Sequence, residues 1–347
     1  MSTLQAPLPR VGAARRAAAR TRSEAPRFWW LGLVAAIAWA AVGVLTLQWE
    51  NRVEGFTDWV YTAEFGRAAL GLAGLLLAVA LLAPAAGRGG DAVLRTLRPS
   101  GPWIVALAAL FGAWEMLTAK LGWLPTPFFA PPTALAEVYL DDWRRLGDST
   151  VNSVKLLAYG VGWGAVTGFV VGVAMGWSRL VGYWVHPVVR FLGPVPASAL
   201  LPLAFFVFPS SYAAAVFLIA LATGFPVAVL TWSGVAGVNR HYYDVARTMG
   251  ASATFLVLRV AIPAALPQVF VGLFMGLGAA FSILVTAEMM GVKSGLGWYL
   301  TWAQGWASYS NMYAALIVMA VVCSGLITLL FTVRDRVLSW QKGTVKW

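Results

Sequence analysis

Few residues in this chain have the types and spacing to do chemistry. Its two histidines, His186 and His241, have no Cys, Asp or His companions at metal-ligand spacing, so neither forms a metal site. No Ser-His-Asp set or paired carboxylates suggests catalysis, and no catalytic residue is assigned. Glu115, in "GAWEMLTAK", and Glu288, in "VTAEMMG", lie within apolar runs. A carboxylate placed in hydrocarbon is a functional candidate by default, and a hydrogen-bonded structural role is the competing reading. Ser198, Ser282, Thr286 and Gln304 could line a path through the protein, although Ser and Thr in apolar helices more often bond to neighbouring helices. The one dense polar interval is "YYDVARTMGASATFLVLRVAIPAALPQ", Tyr242 to Gln268.

The chain around that interval is 60% apolar and 11% charged over 347 residues, more apolar surface than a soluble chain could hide. The expected fold is therefore an all-α integral membrane bundle of about eight spans. The windows are Trp29 to Gln48, Ala68 to Ala86, Trp103 to Leu121, Val151 to Met175, Val181 to Phe208, Tyr212 to Val235, Pro263 to Met290 and Met312 to Val333. The Arg-rich opening, 1–28, precedes an apolar run too long for a cleaved leader, so a retained helix is expected. Residues 29–100 read as a transmembrane hairpin and linker, 101–150 as the next span with an outer amphipathic segment, 151–336 as the main helical body and 337–347 as a tail.

Most of the 25 Lys and Arg fall in segments that share one side, among them Arg88, Arg95, Arg179, Arg240, Arg247, Arg334 and Arg336. Glu50, Glu54, Asp58, Glu64, Glu137, Asp141, Asp142 and Asp148 fall on the other. The positive-inside rule then puts both termini in the cytoplasm of a plasma membrane. The net charge of +11 belongs to flanks of spans and forms no nucleic-acid patch. The single cysteine, Cys323, lies inside the last span and excludes a disulfide framework.

Two patterns must position these groups. Gly160, Gly164, Gly168, Gly172 and Gly176 recur every four residues, a groove along one helix that admits a second backbone, in this subunit or in another. "LPTPFFAPPTALAEVYLDDWRRLGD" opens with prolines and continues as an amphipathic helix with Leu135, Tyr139, Trp143 and Leu146 on one face, expected in the outer interface plane. Within the polar interval "YYDVARTM" makes about two helical turns, Gly250 takes a left-handed cap and Ser252 caps a second helix. Asp244 stands near the start of the first helix, where its charge suits the dipole, and Pro263 and Pro267 mark entry into the next span.

These residues resemble a known pattern. Asp244-Val245-Ala246, three residues, Gly250, nine residues and Val260-Ala261-Ile262-Pro263 keep the spacing of E-A-A-x3-G-x9-I-x-L-P, the cytoplasmic loop of permease subunits in ATP-binding-cassette importers. "GPVPASALLPLAFFVFP" and "VTAEMMGVKSGLGWYL" are similar to segments of the nitrate, sulfonate, taurine and bicarbonate group. The resemblance runs from about Trp103 to Arg336 and leaves the first two spans outside a six-helix core. It implies that residues 239–262 are a coupling loop, with Asp244, Val245, Ala246, Arg247, Gly250, Ala251, Ser252 and Pro263 facing an ATPase.

It further implies two ATPase subunits, a second permease copy, most simply a homodimer, an external solute-binding protein and surrounding lipid. G-x-x-x-x-G-K-[ST] is nowhere in the chain, so ATP and Mg would be bound by the partner and this chain is no enzyme. An ion-driven secondary transporter would call for inverted repeats and midplane ionisable residues. A non-transporting scaffold is the other alternative, kept open by the unexplained hairpin.

Overall fold

The computed structural model describes residues 28–52, 59–125, 127–193 and 195–341, and the basic opening tail, most of the acidic loop at 53–58 and the final tail lie outside them. The described residues are helical, with seven helices long and apolar enough to cross a membrane. The chain divides into two compact units, Met1–Glu137 and Val138–Trp347.

In the first unit, α1 (Trp30–Gln48) and α2 (Thr62–Leu82) form a hairpin. Gly43 and Gly66 let the two backbones close up: a Cβ on Gly43 would stand 2.8 Å from the Gly66 carbonyl oxygen. A short α3 (Gly87–Leu97) leads to α4 (Gly101–Glu115), which widens into a π-helical turn at Met116–Lys120. Ala35, Trp39, Val42, Ala69, Leu76 and Ala108 make one core, so the hairpin shares its packing with the third span. Trp39 Nε1 donates to the Ile104 carbonyl at 3.2 Å.

α5 (Pro132–Asp141) is followed by α6 (Trp143–Trp177), a helix of 35 residues. The expected amphipathic helix over 135–146 is thus two elements, broken at Asp142 (φ −105°, ψ 20°), with Trp143 exposed and Leu146 buried in the first turn of the long helix. The window at 181–208 also divides, into α7 (Arg179–Leu192), a 3-10 turn at Ala197–Leu200 and α8 (Leu201–Val207). "GPVP" supplies the reason: a proline cannot donate to a helix and pushes its predecessor out of the α region.

At the centre of the second unit stands α9 (Ser211–Ala236), packed on one side by α6 and on the other by α11 (Ala253–Met290). Between α9 and α11 runs α10 (Arg240–Thr248), and α12 (Leu296–Gly305) and α13 (Tyr309–Val337) complete the chain. Leu156, Leu157, Leu218, Ile219, Leu277, Ile283 and Leu284 fill the core. The glycine stripe is where α6 meets α9. A Cβ on Gly164 would stand 2.5 Å from the Ala220 carbonyl oxygen, one on Gly168 2.9 Å from Gly224 Cα, and one on Gly172 2.6 Å from the Ala228 carbonyl oxygen. Gly160 and Gly176 close the row against Ile219 and Val235, so the groove is filled within the subunit. In lipid, where apolar side chains gain nothing by leaving the solvent, such backbone approach is the main source of helix association.

Candidate coupling segment and translocation path

The segment 239–262 is built almost wholly from local rules. Asn239 Oδ1 accepts from the His241 amide at 3.0 Å and starts α10. Its end is a glycine cap: Gly250 has φ +82°, the Gly250 amide donates to the Arg247 carbonyl at 2.9 Å and the Ala251 amide to the Ala246 carbonyl at 3.1 Å. Ser252 Oγ then accepts from the Phe255 amide at 3.3 Å, starting the second helix two residues after the first is closed. The result is a helix, a left-handed turn and a helix with no slack residue between them.

The tertiary support of α10 comes through Tyr243, which packs against Val235, Ala261 and Ala265, and the rest of the helix is largely open. No residue of α10 is fully buried, and a Cβ on Gly250 would find nothing within 4 Å. Tyr242, Val245 and Met249 are exposed at helical spacing of three and four, which aligns them on one face, and Met249 is 84% exposed. Asp244 sits one full turn further in than its expected place near the start, because the helix begins at Arg240. Its nearest cation is Arg247, at 3.9 Å, with both side chains in the open. Pro263 stands in the first turn of the α-helical stretch Ile262–Met290 and Pro267 lies inside it, while helical backbone runs on unbroken from Ala253. A π-helical widening at Leu256–Ala261 precedes Pro263, where the missing amide would otherwise pair with the Arg259 carbonyl.

Glu288 is held by hydrogen bonds from two other helices of the second unit. It is 1% exposed, and its carboxylate accepts from Ser153 Oγ at 2.7 and 2.9 Å and from the Gly297 amide at 2.8 Å. Ser153 Oγ accepts in turn from the Leu296 amide at 2.7 Å. The first turn of α12 therefore gives two of its orphan amides to this pair, and its positive end faces the carboxylate. Gly295, at φ +101°, and Gly297 make the approach possible, since a Cβ on Gly295 would overlap the carboxylate. "GVKSGLG" is thus a carboxylate seat. Further along, Tyr299 donates to Asp142 Oδ2 at 2.8 Å; burial, then the Asp142 carboxylate, push its phenol above the ordinary range and keep it a donor.

The remaining path candidates do not converge. Ser282 lines a cleft of about 320 Å3 with Ala197, Leu200, Phe225 and Pro226, and Ser198 is exposed on the same 3-10 turn as Ala197. Thr286 Oγ1 is spent on the Ser282 carbonyl at 2.8 Å, and Gln304 is exposed near the end of α12. His186 lies edge-on to Trp232 with ring centroids 5.0 Å apart. In the first unit Glu115 is 2% exposed.

Lys120, a buried cation at the end of the third span, is a residue the sequence reading does not single out. It is 3% exposed and donates to the Thr46 carbonyl at 2.7 Å, to the Trp49 carbonyl and to Asn51 Oδ1 at 2.8 Å. An ammonium has three protons and all are taken, so this cation closes the carboxyl end of α1 and is not free for a solute. The available signal was a lysine at the very end of an apolar span, where its ammonium can turn back onto the end of a neighbouring helix.

Comparison with known proteins agrees with this architecture. Residues 164–340 match the family model described as binding-protein-dependent transport system inner membrane component. A nitrate import permease protein of Synechococcus elongatus is 28% identical over 256 residues, 70% of this chain and 89% of that protein. A putative aliphatic sulfonates transport permease protein of Bacillus subtilis is 31% identical over 240 residues, 69% of this chain and 85% of that one. A bicarbonate transport system permease protein of Synechococcus elongatus is 30% identical over 193 residues, 55% of this chain and 66% of that one. The chain belongs to the family of binding-protein-dependent transport inner membrane components, the permease subunits of ATP-binding-cassette importers.

Proposed function

We propose that two copies of this chain enclose one path for a small solute handed over by an external binding protein, and that each copy seats its 239–262 segment on an ATPase subunit that binds ATP and Mg. The observation that carries this reading is the segment itself: a helix-turn-helix, capped at Asn239, Gly250 and Ser252, that leaves Tyr242, Val245 and Met249 exposed. Exposed apolar side chains at helical spacing on a stiff element suit a groove in another protein. Movement of the ATPases would shift this element and, through its helical continuity with α11, the wall of the path.

The chain would sit in a bacterial inner membrane with both termini cytoplasmic, as the arginine asymmetry favours. Solutes of the nitrate, sulfonate or bicarbonate kind fit the printed names of its relatives. The Ser282 cleft offers a hydroxyl and no cation, which supports discrimination by the binding protein and not by the path. Met249→Glu tests the docking face. Met249 contributes little to the fold at 84% exposure, so the variant is expected to accumulate normally and lose co-purification with the ATPase. Full retention of the ATPase would remove Met249 from the interface.

A further inference from the structure

The start of the same segment, with the ends of α6 and α9, forms a second feature, distinct from the Tyr242, Val245 and Met249 face. A cleft of about 550 Å3 opens between the ends of α6 and α9 and the start of α10, and its walls carry Trp177, Arg179, Arg240, Tyr243, Asp244 and Arg247. Three guanidiniums face one carboxylate there. Asp244 reaches Arg247 only at 3.9 Å, and the ion pairs among the described residues leave Arg179 and Arg240 without an acid. Like charges gathered in a partly enclosed space attract a counter-anion, and the planar guanidinium fork is matched to the paired oxygens of a phosphate.

Depth selects the source of that phosphate. The cleft lies where two long apolar helices end, at Trp177 and at Ala236, which is headgroup level for a span. Trp177 and Tyr243 meet edge to face with ring centroids 5.9 Å apart, the amphipathic ring types that mark the membrane–water boundary. Basic pockets between spans at this level are suited to anionic headgroups. We propose that the Arg179–Arg240–Arg247 cleft binds the phosphate of an anionic phospholipid. A lipid held there would touch the first turn of α10 and tie the element to the bilayer.

The test uses the full chain in phosphatidylcholine nanodiscs with phosphatidylglycerol titrated in, and reads retained lipid by native mass spectrometry. Wild type is expected to retain phosphatidylglycerol in preference to phosphatidylcholine. Arg179→Gln with Arg240→Gln should weaken that preference by roughly 30-fold, and Arg179→Lys with Arg240→Lys should keep most of it. Inorganic phosphate at millimolar concentration separates the sources: displacement of the lipid means that the cleft takes the free anion too, and resistance means that it takes the headgroup alone. Equal retention of both lipids by wild type, or an unchanged preference in the Gln pair, overturns the proposal.

Discussion

The Glu288 carboxylate joins α11 to Ser153 of α6 and to the Gly297 amide of α12. An acid in an apolar span invites a role in transport, yet each of its hydrogen bonds goes to Ser153 or to the first turn of α12. Its removal would strand the Gly297 amide and one proton of Ser153 away from water, so Glu288→Ala should lower the stability of the purified chain by about 2–4 kcal/mol. Thermal unfolding in detergent measures this. Glu288→Gln keeps the shape and an acceptor for Gly297, and should support transport near the wild-type level if the carboxylate is an anchor. Abolished transport in a well-folded Gln variant would restore the charge to the path. The sequence revealed the acid but not its seat, because Ser153 lies 135 positions away and nothing local links the two.

Legibility at the level of elements depended on whether the cause was local. Gly250 and Ser252 were readable because a left-handed turn and a serine cap are decided by neighbouring residues. Gly160 to Gly176 were readable as a groove, but not its filling, since the groove fits any close backbone and only the fold names α9. The broken 181–208 window was misread because hydropathy reports composition and not the path of the backbone. Even one methyl has no room at the tightest crossing: Gly168→Ala should destabilise the unit by about 1–3 kcal/mol, and Gly168→Leu should prevent assembly. Normal accumulation and transport in the Leu variant would contradict this packing.

The two N-terminal spans, which the sequence set apart as an addition, gain a physical role through Lys120. Three acceptors of that buried ammonium belong to the first helix and the residues just after it. Deleting residues 1–86 would leave the cation and the Trp39 face of α4 uncovered, at a cost of several kcal/mol for the charge alone. The truncated chain is expected to accumulate poorly, and Lys120→Leu in the same truncation to recover part of the loss. Full accumulation of the truncated wild-type sequence would make the hairpin an independent attachment.

At the scale of the whole molecule, the proposed function gives this chain the role of moving wall of an importer and leaves the motor to another protein. The exposed Tyr242, Val245 and Met249 face of the 239–262 segment is the structural support for that proposal. Among the described residues α13 is the least buried of the long helices, which leaves apolar surface for lipid or for a second copy. Family membership was legible from a loosely matched loop because its spacing is enforced by a cap, a turn and a cap. The solute was not, because the cleft at Ser282 offers one hydroxyl and no charged group to select one.

The most direct test of the coupling claim is substrate-stimulated ATP hydrolysis by the assembled transporter, compared among wild type, Gly250→Asn and Gly250→Val. Gly250 sits at φ +82° with open space around it, so the substitutions act through backbone conformation and not through collision. Asparagine tolerates the left-handed region, whereas a β-branched residue meets strain of about 1–3 kcal/mol there. The account predicts near-normal stimulation in the Asn variant, and in the Val variant a chain that inserts and assembles with itself but loses the ATPase or its stimulation. Wild-type stimulation in Gly250→Val would show that the segment is an ordinary surface loop.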